Sequence, residues 1–107
     1  MITEEIRAAI AKRIATDDEW DYGVKQCWAE QIEILSRNID ETIAFFENDC
    51  TEDEFAWLSE VIEDVAKTTQ SREFVDCLFR VAKKYPEKTK SANIEDFILS
   101  AEGALKE

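Results

Sequence analysis

The stretch NDCTEDEFAWLSEVIEDVAK, residues 48–67, decides the fold, because its apolar side chains recur at helical spacing. They fall three or four residues apart, which places them on one stripe of a helix: Phe55, Leu58, Ile62 and Val65. Thr51, followed three residues later by Glu54, has the spacing of a capping box. The stretch therefore predicts one amphipathic helix that begins after Thr51 and ends near Lys67.

The same pattern recurs on both sides of this helix. A first helix is predicted over about residues 3–16, with isoleucines on one stripe: Ile2, Ile6, Ile10 and Ile14. The segment DDEW, residues 17–20, is a break or the acidic first turn of a second helix. Further helices are predicted to be capped by Asn38, Ser71 and Asn93, and one of them to be stopped by Pro86.

The composition favours an all-α fold. The chain has 107 residues, with only two Gly and one Pro, whereas all-β folds and glycine-rich phosphate loops need more of both. We expect a single helical domain over residues 1–107. Short connections predict five to six antiparallel helices stacked as helical hairpins, in a closed bundle or a short solenoid.

Neither a targeting segment nor a membrane span is predicted. The N-terminal sequence MITEEIRAAIAKRI carries charges throughout, unlike a signal peptide, and no stretch approaches the roughly 20 apolar residues of a membrane helix. The three cysteines form no CxxC pair. These features predict reduced thiols and a cytoplasmic protein without a membrane partner.

Negative charge is concentrated in one part of the sequence. The net charge is −12, and residues 38–66 contain ten acidic residues but no Lys or Arg. This acidic block disfavours direct binding to nucleic acid or to an anionic membrane. It is either a functional surface for a cationic partner or a solvated face with ion pairs to the basic residues that follow it: Arg72, Arg80, Lys83 and Lys84.

The residues offer little support for catalysis or metal binding. The chain has no histidine, which removes the commonest general base and zinc ligand. Asp49 to Glu60 has acids at several calcium-loop positions, but Glu54 stands where such a loop needs glycine. Cys50 precedes a helix start, yet the surrounding acids oppose thiol activation. We therefore expect no enzymatic activity, no metal and no cofactor.

Trp57 is the candidate anchor of a partner-binding site. On a continuous helix it points away from the inner stripe, among acidic neighbours. An aromatic ring surrounded by carboxylates is typical of a protein-binding hot spot. The alternative is that Trp57 and Val61 pack against a neighbouring helix. The predicted partner-binding residues are Asp49, Asp53, Trp57, Glu60 and Asp64.

The run FFENDCTEDEFAWLSEVIEDVAKTTQSREFVDCLFRVAKKYPE, followed by NIEDF and AEGAL, resembles small helical immunity proteins of bacterial polymorphic-toxin and contact-dependent inhibition systems. The resemblance covers about residues 38–105 and depends mainly on TEDEFAWLSEV and KKYPE. It implies a cytosolic, non-enzymatic protein that binds one cognate toxin and blocks it.

The predicted function is therefore neutralisation of a basic toxin, above all a nuclease whose phosphate-binding surface an acidic inhibitor can occupy. The alternatives are a helical adaptor or regulatory subunit, and a DNA mimic that inhibits a nucleic-acid enzyme. Binding by an adaptor depends on apolar contacts and is insensitive to salt, whereas binding to a cationic nuclease weakens steeply with salt.

Overall fold

The computed structural model describes residues 2–106, which form eight α-helices and no β-strand. The all-α prediction is confirmed, but the count of five to six helices is wrong. The helices are α1 (Ile2–Ala15), α2 (Asp21–Arg37), α3 (Ile39–Asn48), α4 (Glu52–Leu58), α5 (Ile62–Thr69), α6 (Arg72–Lys84), α7 (Pro86–Ser91) and α8 (Ile94–Gly103).

The helix predicted to run from Thr51 to near Lys67 is in fact two helices, α4 and α5. The Ser59 hydroxyl donates a 2.6 Å hydrogen bond back to the Ala56 carbonyl. The next two backbone N–H groups bond to carbonyls three residues earlier instead of four. Such back-bonding and tightening end an α-helix. The break turns Val61 into the core, where it is fully buried.

The second additional helix is α7, which follows Pro86 directly. Proline ends α6 as predicted, but it also occupies the first position of α7, where its fixed φ and missing N–H are compatible with a helix. Asn93 is the N-cap residue of α8, in a left-handed conformation with φ 54°. Its side chain makes no capping hydrogen bond to a described residue, so this part of the cap prediction is wrong.

The other predicted caps are present. Thr51 and Glu54 form the full capping box, and Ser71 Oγ accepts a 3.1 Å hydrogen bond from the N–H of Phe74. Asn38 Oδ1 accepts from the N–H of Glu41 at 3.4 Å. These bonds satisfy N–H groups that have no partner inside their own helix, and they fix where three helices begin.

The predicted apolar stripes meet in one core cluster. Its largest fully buried side chains include four phenylalanines, and the Phe46 ring makes edge-to-face contacts with three others: Phe45, Phe55 and Phe74. The stripe of α4 and α5 is buried as predicted. One stripe prediction is wrong, because Ile14 is exposed.

The most extensively packed helix pairs are α1 with α2, α5 with α8 and α3 with α6. Only the first pair is consecutive in the chain, so distant parts of the sequence are held together. The radius of gyration is 12.8 Å, close to the roughly 13 Å of a 100-residue domain. The packing brings α1 and α2 against α4 and α5, where the predicted site residues lie.

Candidate functional site

Asp49 and Asp53 are both exposed, and they lie on either side of Thr51, the N-cap residue of α4. Thr51 Oγ1 accepts from the N–H of Glu54 at 3.2 Å, and a Glu54 carboxylate oxygen accepts from the N–H of Thr51 at 3.0 Å. Asp53 pairs with Lys88 of α7 at 2.9 Å, a contact open to solvent. Among residues 2–106, the Asp49 carboxylate has no ion-pair partner. Of the two carboxylates, only that of Asp53 is in an ion pair within residues 2–106.

Arg7 of α1 holds the α4 cap from the other side. Its Nε donates to Glu54 Oε2 at 2.8 Å, and its Nη2 donates to the Asp49 carbonyl oxygen at 3.0 Å. Burial acts to raise the pKa of Glu54, but the hydrogen bonds from Arg7 and Thr51 outweigh it and lower that pKa. Glu54 therefore stabilises the fold as a carboxylate.

Arg13 of α1 engages both Glu60 and Trp57. Its Nε and Nη2 donate to the two carboxylate oxygens of Glu60 at 2.9 and 3.1 Å, and Trp28 Nε1 donates to the same carboxylate at 3.1 Å. The guanidinium lies 5.4 Å from the Trp57 ring centre. Trp57 is partly buried against the core, as in the packing alternative. Both predicted contact residues thus help to join α1 and α2 to α4 and to the turn that follows it.

Asp64 lies on α5 and is exposed, without an ion pair among the described residues. Because the chain turns at residues 59–61, Asp64 does not continue the face of α4 that carries Trp57. The continuous helix that was expected to place Asp64 beside Trp57 is therefore wrong, and the five predicted residues are spread over α4, α5 and the segments that precede them.

The acidic block is only partly neutralised. Four of its ten carboxylates pair with bases, through Arg7–Glu54, Arg13–Glu60, Arg80–Glu47 and Lys88–Asp53. The other six have no ion pair within residues 2–106: Asp40, Glu41, Asp49, Glu52, Glu63 and Asp64. Two of the four pairs come from α1 rather than from the basic segment after the block.

The largest exposed apolar side chains lie elsewhere, around the turn between α1 and α2. Ile14, Trp20 and Tyr22 are 56%, 57% and 63% exposed, and the two aromatic ring centres are 6.1 Å apart. Residues 17–20 were predicted as a break or as the acidic first turn of the second helix, with no role for the aromatic side chains. Two aromatic residues beside a turn, outside any apolar stripe, were the signal that could have revealed them.

None of the buried thiols is suited to nucleophilic chemistry. Burial raises the pKa of Cys50 and of Cys77 to about 12, and nearby carboxylates add to the effect. At neutral pH both thiols are therefore protonated. Cys27 is partly buried, and its sulfur lies 3.4 Å from Thr16 Oγ1.

No group of three or more potential metal ligands occurs among residues 2–106. A groove of about 740 Å³ lies between α6, α7 and α8, and none of the five predicted site residues lines it. Within the described part of the chain, every helix is too short or too polar to cross a membrane.

Comparisons with protein-family models, with curated proteins and with solved structures find no match for this chain.

Proposed function

We propose that this protein is a non-enzymatic acidic inhibitor that binds a cognate basic protein and neutralises it. A toxin nuclease is the expected partner, and the protein would then be its immunity protein. The observation that carries the proposal is the set of six carboxylates in residues 38–66 without an ion pair among the described residues.

Unpaired like charges that are not balanced by bases repel one another and lower the stability of a fold. A cationic partner relieves that repulsion, and complementary potentials also raise the rate at which the two proteins meet. Nucleases bind phosphates through basic surfaces, so an acidic inhibitor can occupy the place of the nucleic-acid backbone. The net charge of −12 is consistent with this role.

The predicted contact residues have different parts in this proposal. Asp49 and Asp64 are exposed carboxylates available to Lys or Arg of the partner. Asp53 can exchange its exposed pair with Lys88 for a partner's base at little cost. Glu60 and Trp57 are held by Arg13, and they position the surface more than they contact the partner.

The proposal includes a bacterial cytoplasm as the place of action, in line with three cysteines that form no disulfide. It also includes the arrangement of antiparallel helical hairpins, bundle or short solenoid, as the scaffold of the acidic surface.

The test is capture of a partner on immobilised protein from lysate of the source cell, followed by a nuclease assay on what is retained. The wild type is compared with Asp49→Lys/Asp64→Lys and with the control Glu95→Lys/Asp96→Lys, which makes the same charge change on exposed residues of α8. We expect a basic protein that the wild type and the control retain, that the first variant loses, and whose nuclease activity falls as inhibitor is added.

A neutral or acidic partner retained equally by all three proteins, at low and at high salt, would contradict the proposal and favour the adaptor. Turnover of a substrate by the protein itself, abolished by a single carboxylate change, would contradict its non-enzymatic part.

A further inference from the structure

The turn between α1 and α2 carries an exposed apolar surface that the fold does not use. Trp20 and Tyr22 present more than half of their side-chain area to solvent, and Ile14 is exposed to a similar extent. Scattered exposed apolar residues are ordinary in folded proteins, but two large aromatics and an isoleucine within nine residues are not. We call these three side chains the aromatic patch.

Both rings of the aromatic patch are held in place. Trp20 lies directly on the backbone of α2 at Gly23, where an added Cβ would stand 2.3 Å from Trp20 Cε3 and 2.6 Å from Cζ3. Only glycine therefore permits this position of the indole ring. The Tyr22 hydroxyl accepts a 2.8 Å hydrogen bond from Gln26 Nε2. Rings fixed before binding lose less entropy when a partner arrives.

The surroundings of the aromatic patch are acidic. Between Ile14 and Val24 the chain has four acidic residues and neither Lys nor Arg: Asp17, Asp18, Glu19 and Asp21. Asp18 pairs with Arg13, whereas Glu19 and Asp21, on either side of Trp20, have no ion pair within residues 2–106. The patch therefore has a net negative charge, with Lys25 one helical turn after Asp21 as the nearest base that follows it in α2.

The α1–α2 turn that carries the aromatic patch is also joined to the acidic block by one side chain. The Arg13 guanidinium bonds to Asp18 Oδ1 at 2.8 Å through Nη1 and to Glu60 through Nε and Nη2. One side chain thus joins the α1–α2 turn to the turn between α4 and α5. A partner that covers one turn can reach carboxylates of the other.

We infer that the aromatic patch is the docking surface for a Lys- or Arg-rich protein surface, with a cationic side chain of the partner stacked on Trp20 between Glu19 and Asp21. A cation over an indole face is attracted by the ring, and carboxylates beside the ring add to that attraction. The inference depends on the proposed function for its basic partner. A second copy of this chain would bring two negatively charged surfaces together, which disfavours self-association.

The test is a titration of the ¹⁵N-labelled protein, followed through the tryptophan indole N–H signals. The probe is a peptide of alternating Arg and Gly with blocked ends, and the same peptide with citrulline in place of Arg is its neutral control. Comparison with Trp20→Ala identifies the Trp20 signal. We expect this signal, and the amides next to it, to shift saturably with the arginine peptide and not with the citrulline peptide.

Two variants measure the contribution of the stacked ring. Trp20→Ala should raise the Kd of the arginine peptide about two- to fivefold, the equivalent of one exposed cation–π contact. Gly23→Ala keeps the indole but displaces it, and alanine is otherwise a better helix former than glycine. It should raise the Kd in the same direction. The control Glu95→Gln, which removes an exposed carboxylate of α8 outside both the patch and the acidic block, should change the Kd by less than about twofold.

The inference is overturned if the Trp20 indole signal does not shift, or if Trp20→Ala and Gly23→Ala leave the Kd unchanged. The outcomes also distinguish failure of this inference from failure of the proposed function. If the protein inhibits a captured nuclease and the Trp20 and Gly23 variants inhibit it equally well, the docking surface is contradicted and the inhibitor proposal is not. If the arginine peptide binds at Trp20 but the protein inhibits no basic partner, the docking surface stands and the inhibitor proposal is contradicted.

Discussion

Substitution of Arg13 by methionine should destabilise the fold more than substitution of any exposed arginine. The Arg13 side chain is buried, bonds to both carboxylate oxygens of Glu60 and lies over the Trp57 ring. It also pairs with Asp18. Arg13→Met keeps the aliphatic stem and removes the guanidinium, so the change isolates the polar contacts.

The expected loss in the free energy of unfolding follows from how exposed each contact of Arg13 is. The side chain of Glu60 is 27% exposed, and its hydrogen bonds to a charged donor contribute about 1.5–3 kcal/mol. The cation–π contact with Trp57 adds about 0.5–1 kcal/mol. Asp18 is 80% exposed, so solvent screens its pair to a few tenths of a kcal/mol at most. We therefore expect a loss of about 3 kcal/mol in the free energy of unfolding.

The assay is urea denaturation followed by circular dichroism, with thermal unfolding in parallel. For a chain of this size, about 3 kcal/mol corresponds to a fall in Tm of roughly 13 °C. Arg37→Met is the matched control, because Arg37 also has two carboxylate partners but lies in solvent, and its Tm should stay near that of the wild type. Glu60→Gln combined with Arg13→Met should cost less than the sum of the single changes. Equal losses for Arg13→Met and Arg37→Met would refute the reasoning.

Three further predictions concern the core, the α4 cap and the thiols. Gln31→Leu should stabilise the fold by about 1–3 kcal/mol, because both polar atoms of this buried side chain are without a hydrogen-bond partner among the described residues; a lower urea midpoint would contradict it. The Glu54 pKa is lower in the folded state than its ordinary value of 4.5, so the stabilisation is complete above that value and is lost as pH falls through the folded-state pKa. The stability difference between wild type and Glu54→Gln should therefore shrink at acidic pH, and a pH-independent difference would count against the Glu54 hydrogen bonds. Iodoacetamide at neutral pH should modify Cys27 before the other two cysteines. Burial raises the pKa of Cys50 and of Cys77 from 9.0 to about 12, which lowers the thiolate fraction of each roughly a thousandfold. Mass spectrometry that finds all three modified equally fast in the native state would refute this.

Local sequence signals predicted the helix starts and most of the core. Thr51 with Glu54 and Ser71 act over three residues, so their spacing alone identifies two caps. The apolar stripes depend only on helical periodicity, which explains why Phe55, Leu58 and their neighbours are buried as expected.

The break between α4 and α5 could not be predicted in the same way. It involves Ser59, which back-bonds within the helix, and Glu60, which Arg13 and Trp28 bind from 47 and 32 residues away in the sequence. Periodicity continues through the break, because apolar residues on both sides still face the core. The predicted face of Trp57 depended on a continuous helix and was therefore wrong.

The exposed aromatic patch was missed for a related reason. A search for apolar stripes finds side chains that share a helix face, whereas Trp20 stands in the turn before α2. Its position depends on a contact with the backbone at Gly23, which helical periodicity does not reveal.

The central claim is that the unpaired carboxylates recognise a basic partner. The most direct test is the association rate constant between this protein and the captured partner, measured by surface plasmon resonance at low and at high salt. We expect the rate to fall steeply with salt, and Asp49→Lys/Asp64→Lys to slow association at low salt much more than Glu95→Lys/Asp96→Lys does. An association rate that neither salt nor the Asp49 and Asp64 reversals change would contradict the account.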